Sequence, residues 1–159
     1  MRKKIIITII GAGSWGTTLA VILGKKGYNV NLWTRSKSTY EEIKKSKKNI
    51  KYTQDFIIPE CVKPFMDLNN EFEKPEIVIF AVPSHALRET LIKFKKKLEE
   101  SCRSIKCILN VAKGLETKSN LRLSQVLQEC LPDELIPKLC ILSGPNIAKE
   151  IAEDLPSVS

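Results

Sequence analysis

The sequence predicts a single α/β domain built on a doubly wound, mostly parallel sheet. Three observations point to it. Apolar, β-branched runs such as Lys4 to Ile10 and Glu76 to Val82 recur along the chain, as strands buried on both faces require. Between them, apolar residues return every three or four positions, the period of a helix with one buried face. The turn Gly11-Ala12-Gly13-Ser14-Trp15-Gly16 joins the first run to the first such helix. Strand and helix in regular alternation imply parallel strands with right-handed crossovers. With 159 residues, 43% of them hydrophobic, the chain holds one substantial core and leaves no room for a second domain.

Taken in order, the first strand ends at the glycines, and a helix runs from Ser14 to Lys26 with Leu19, Ala20 and Leu23 on one face and Gly27 as its stop. Asn29 to Thr34 alternates like a second strand, and Ser38 to Lys48 is polar enough for an exposed helix. Pro59, Pro64 and Pro75 make residues 49–75 mostly loop, with one short strand near Val62 to Met66. The strand Glu76 to Val82 is stopped by Pro83, and Ser84 is placed to cap a helix reaching about Glu99. Ile105 to Val111 reads as the next strand. Leu123, Val126, Leu127 and Cys130 mark the inner face of the helix after it. Leu139 to Leu142 is a last strand, and Ser143-Gly144-Pro145-Asn146 precedes a short helix. Internal repeats are absent.

The net charge of +8 invites a nucleic-acid or anionic-membrane reading. All but five of the 26 basic residues are lysine, in short groups such as Lys95-Lys96-Lys97 on helix exteriors, which favours a solvated surface and no nucleic-acid partner. No stretch of about 18 apolar residues occurs, so no stable membrane insertion is expected, and with no cleavable leader in view a cytoplasmic protein is. Five cysteines (Cys61, Cys102, Cys107, Cys130, Cys140) without C-x-x-C spacing read as reduced structural thiols, and no metal site is expected.

In such sheets a ligand binds beyond the carboxyl ends of the strands, where the strand order reverses. Five segments would converge there: Gly11 to Gly16, Thr34-Arg35, Pro83-Ser84, Ala112-Lys113-Gly114 and Gly144 to Asn146. The glycine turn is suited to a dinucleotide. Gly11 takes the angles of the turn, Gly13 has no side chain to hold a diphosphate off the main chain, and Gly16 lets the helix pack close to the strand. The first helical amides and the helix dipole then face the phosphates. Where a carboxylate would bind a ribose 2′-hydroxyl, this chain has Arg35, which favours NADPH over NADH because a guanidinium grips a 2′-phosphate. The alternative is that Arg35 lies flat over the adenine of either cofactor. Lys113, the one charge in Asn110-Val111-Ala112-Lys113-Gly114-Leu115, is either an ordinary loop lysine or an ammonium that binds a substrate oxygen. His85, the sole histidine, sits at a helix start as a weak candidate base, Trp15 covers the diphosphate or packs beside it, and Trp33 is core.

GAGSWGTTLA, LWTR, AVPSHALR, AKGLE and LSGPNIAKEIA, in this order and spacing, resemble the NAD(P)H-dependent glycerol-3-phosphate dehydrogenase family, especially its bacterial members, from near Ile5 to Ala152. The resemblance implies a Rossmann-like dinucleotide-binding domain over residues 1–159. It implies reduction of dihydroxyacetone phosphate to sn-glycerol 3-phosphate, the backbone precursor of glycerophospholipids, with NADPH or NADH. Ser14, Trp15, Arg35 and Ala148 would then contact the cofactor, Lys113 both cofactor and substrate, and Gly144 and Asn146 the substrate, while Pro83 is a cofactor-binding candidate from its place at a strand end. The family's helical C-terminal half, which supplies the general acid–base lysine and most of a homodimer interface, would follow beyond Ser159. The chain up to Ser159 is therefore expected to bind dinucleotide and turn over poorly. Thr53-Gln54-Asp55 and Asn146 depart from the usual bacterial pattern. Rival readings are a ketopantoate- or hydroxyacid-type reductase of related architecture and a non-catalytic dinucleotide sensor.

Overall fold

A computed structural model describes residues 5–53, 56–68, 72 and 74–144. Its six strands are β1 (Ile6–Ile10), β2 (Asn29–Trp33), β3 (Val62–Phe65), β4 (Ile77–Phe80), β5 (Cys107–Asn110) and β6 (Leu139–Ile141). They form one sheet in the order β3-β2-β1-β4-β5-β6, with every pairing parallel. The chain winds outward from β1 to β3, returns past β1, and winds outward again from β4 to β6. The strand order therefore reverses between β1 and β4, the Rossmann-like topology that the sequence predicts. Among the described residues the helices of eight residues or more are α1 (Ser14–Lys25), α2 (Lys37–Ser46), α3 (Leu87–Glu100) and α4 (Leu123–Cys130).

The period-two pleat explains why the strands are apolar almost throughout. Ile7 and Ile9 of β1 enter one core layer with Val30, Leu32 and Ile79, beneath Ala20 and Val21 of α1 and Ile43 of α2. Ile10 faces the opposite layer with Val78 and Phe80, beneath Leu87, Leu91, Phe94 and Leu98 of α3 and Val126 and Leu127 of α4. Trp33 is buried there too, its ring meeting Phe94 edge-to-face at 5.1 Å. Gly27, with φ of +84°, ends α1 as expected.

Two local expectations are corrected. Ser84 caps no α-helix: Ser84–Ala86 forms a 3-10 turn, with the Ala86 N–H donating to the Pro83 carbonyl at 2.9 Å, and α3 starts only at Leu87. The tight turn keeps Pro83 and Ala86 at the strand ends, where an immediate α-helix would carry them away. Cys140 is no buried structural thiol: β6 is the sheet edge, and both Cys140 and Ile141 are exposed. All five cysteines are free. Asn146, Ala148, the expected short helix and Ser159, where the chain was expected to lead on to a lysine-bearing half, all lie outside the described residues. Among the described residues no helix is long and apolar enough to cross a membrane, and no group of acidic, histidine or cysteine side chains is placed to hold a metal.

Thr8, in the middle of β1, is fully buried and its hydroxyl has no partner in the described structure. Thr8→Val keeps the branched shape and removes that orphan, so it is expected to raise stability by about 1 kcal/mol in urea unfolding. A loss of stability would show that the hydroxyl is satisfied.

Candidate functional site

A cleft of about 590 Å³ opens at the carboxyl ends of β1, β2, β4 and β5. Its floor is the glycine turn. Gly11 has φ of +118°, and a Cβ there would lie 2.6 Å from the Ala81 carbonyl oxygen. A Cβ on Gly16 would collide with the carbonyl oxygen of Gly11, so the first turn of α1 is clamped directly onto the end of β1. Gly13 differs. A Cβ there meets nothing within 4 Å, so the space before it is open. Gly13 is also the N-cap of α1, and no side chain caps that helix. The amides of its first turn are left facing the cleft, an arrangement that suits an anion. These features fit the diphosphate of a dinucleotide, with Ser14 and Trp15 lining the same floor.

Arg35 stands at the second wall. The Ser36 N–H donates to the Thr34 hydroxyl at 3.1 Å, and the Ser36 hydroxyl accepts from the Thr39 N–H at 3.2 Å as the cap of α2. These bonds fix the backbone on either side of Arg35, whose exposed side chain lines the cleft and makes no ion pair among the described residues. The third wall holds Pro83, Ala86 and Thr90. Lys113 closes the far end. Its ammonium donates to the Gly144 carbonyl at 2.5 Å, which brings the ends of β5 and β6 together, and Gly114 behind it has φ of +98°.

The structure therefore gathers Gly11, Gly13, Ser14, Trp15, Arg35, Pro83 and Lys113 around one cleft, with Gly16 behind its floor and Gly144 joined to Lys113. His85 is exposed and does not line it. Sequence reasoning missed Tyr52, which lines the cleft from the loop after α2, and Asn49, which places that loop. The buried Asn49 amide donates to the Ala12 carbonyl at 3.0 Å and to the Thr17 hydroxyl at 2.8 Å, tying the loop to the glycine turn. No local pattern marks either residue, since the partners of Asn49 lie more than 30 positions away.

An open parallel sheet with a glycine turn and an uncapped helix start at its switch point is the architecture of a nucleotide-binding domain. The chain belongs to the family described as NAD-dependent glycerol-3-phosphate dehydrogenase N-terminus, whose model matches residues 6–158. It is 42% identical over 151 residues to the glycerol-3-phosphate dehydrogenase [NAD(P)+] of Clostridium tetani and 39% identical to that of Clostridium perfringens strain SM101. Each match covers 95% of this chain, against 41% and 44% of those relatives, so the chain spans less than half of their length. The solved glycerol-3-phosphate dehydrogenase of Coxiella burnetii superposes with a TM-score of 0.79 at 30% identity, covering 97% of this chain and 45% of that one.

Proposed function

We propose that this chain is the cofactor-binding half of an NADPH-preferring enzyme that reduces dihydroxyacetone phosphate to sn-glycerol 3-phosphate for glycerophospholipid synthesis. The observation that carries the proposal is the cradle: an uncapped helix start, an open Gly13 and a guanidinium at the end of β2, all facing one cleft. The family relatives named above act on glycerol 3-phosphate, which supplies the substrate class. The ketopantoate-type reading has weaker support, because the putative 2-dehydropantoate 2-reductase of Enterococcus faecalis shares the fold alone, at 20% identity and a TM-score of 0.57.

In this reading the first-turn amides of α1 bind the diphosphate, and Trp15 shields one side of it. Arg35 grips the 2′-phosphate. Pro83 and Ala86 fill the wall beside the nicotinamide, and Lys113 holds the substrate's carbonyl or phosphate oxygen, with Gly144 and Asn146 completing the substrate side. The cofactor supplies the hydride; the protein supplies orientation and charge. The acid–base lysine and the dimer interface are assigned to a segment following Ser159, matching the part of those relatives that this chain does not span, and the complete enzyme is taken as a cytoplasmic homodimer.

Titration of NADPH and NADH against the chain, followed by quenching of the fluorescence of Trp15 and Trp33, which both line the cleft, tests the cofactor assignment. Arg35→Asp is expected to weaken NADPH binding by about 2 kcal/mol or more, since a charge-assisted pair becomes a like-charge contact, and to change NADH binding little. Equal losses for the two would refute the phosphate role.

A further inference from the structure

Lys113 sits in a loop, yet the site needs its ammonium at a fixed place, and the structure contains a device that fixes it. Arg88, in the first turn of α3, meets Glu116 through a paired contact, Nε to Oε1 at 2.8 Å and Nη2 to Oε2 at 2.9 Å. Glu116 lies three residues after Lys113 and is 9% exposed. Its carboxylate also accepts from the Ser119 hydroxyl at 2.5 Å. Its main chain is held too, with the N–H donating to the Leu121 carbonyl at 2.9 Å and the carbonyl accepting from Asn120 at 2.8 Å. Arg88 in turn reaches Glu129 of α4 through Nη2 at 2.7 Å. On the other side of Lys113, the Asn110 amide donates to the Ala112 carbonyl at 3.0 Å. Lys113 is thus pinned three residues ahead and one residue behind.

A bidentate Arg–carboxylate pair is among the stronger hydrogen-bonded contacts that two side chains make, and its two parallel bonds fix their orientation. Arg88 and Ser119 hold the Glu116 carboxyl down at a pKa of about 2, so it stays ionised throughout the working range. A solvent-facing strut would need none of this. The pair also spans two walls of the cleft, because α3 carries Thr90 and follows Ala86, while the anchored loop carries Lys113.

We propose that Arg88 and Glu116 are positioning residues for Lys113, setting the distance between the cofactor wall formed at the start of α3 and the ammonium that meets the substrate. Neither touches the ligand. The inference rests on the role given to Lys113 above, and a double-mutant cycle separates the two. In the protein expressed from its complete reading frame, kcat/KM with dihydroxyacetone phosphate and the NADPH dissociation constant are measured for wild type, Lys113→Met, Glu116→Gln and the double variant. Arg88→Lys forms a second series, because it keeps the charge and loses only the fork.

Glu116→Gln and Arg88→Lys are each expected to lower kcat/KM about tenfold, within the range of coupling between residues in one network, and to add nothing once Lys113 is methionine. Where Lys113→Met is too slow to assay, the same cycle is read from the dissociation constant of sn-glycerol 3-phosphate. Losses of equal factor in both backgrounds would show a general structural role and overturn the proposal, as would single variants that match wild type. Wild-type behaviour of Lys113→Met would instead refute the ligand role of that lysine, and the positioning proposal with it.

Discussion

Gly16→Ala is expected to abolish dinucleotide binding and to destabilise the domain by about 3 kcal/mol or more, at or beyond the upper end of overpacking costs. The methyl would run into the Gly11 carbonyl and lie 3.2 Å from the Ala81 Cβ. Neither neighbour is the loose end of a flexible side chain. The first turn of α1 must therefore move off β1, and its amides leave the cleft with it. Gly13→Ala is the control. Its backbone, at φ of −76° and ψ of −172°, suits alanine, and the added methyl meets no protein atom within 4 Å. Stability should stay within about 0.5 kcal/mol of wild type. NADPH affinity should nonetheless fall by about tenfold or more if the proposed cradle holds the diphosphate, because the methyl would fill the space open before Gly13. Urea unfolding and fluorescence titration of both variants check the pair. Unchanged NADPH binding by Gly13→Ala would place the diphosphate elsewhere.

Lys113→Met in the complete enzyme is expected to reduce kcat with dihydroxyacetone phosphate by about a hundred- to a thousandfold, the usual cost of removing one fixed group that stabilises developing charge. The substitution keeps the unbranched apolar stem and removes the ammonium alone. Its unfolding midpoint should not move, since Lys113 is exposed and its bond to the Gly144 carbonyl lies at the surface. Steady-state kinetics beside a thermal melt checks both halves. Turnover within threefold of wild type would reduce Lys113 to an ordinary loop lysine.

How much was legible in the chain varies by residue. Gly11 and Gly16 were readable because the turn angle of the one and the closeness of the other to the Gly11 carbonyl arise within one strand–turn–helix unit, whereas the Ala81 carbonyl that also crowds Gly11 comes from the end of β4 and left no local trace. The place of Arg35 on the cleft was readable because the end of β2 has a fixed position beside the end of β1 once the strands are parallel. Ser84 misled because local signals for an N-cap do not separate a 3-10 turn from an α-helix. Tyr52 and Asn49 were invisible, since nothing near them in sequence records that Asn49 fastens its loop to Ala12 and Thr17.

The sequence by itself determined the alternation of strands and helices, the doubly buried β1 and β4, and the glycine turn that opens α1 at the cleft, because these follow from short-range periodicity and from backbone angles that only glycine takes freely. Tertiary structure alone decided which strand lies at the edge, which loop brings Tyr52 to the cleft, and that Arg88 reaches Glu116 across 28 residues. Those outcomes depend on pairings between distant segments, and the energy of such a pairing exists only after the sheet has set their separation.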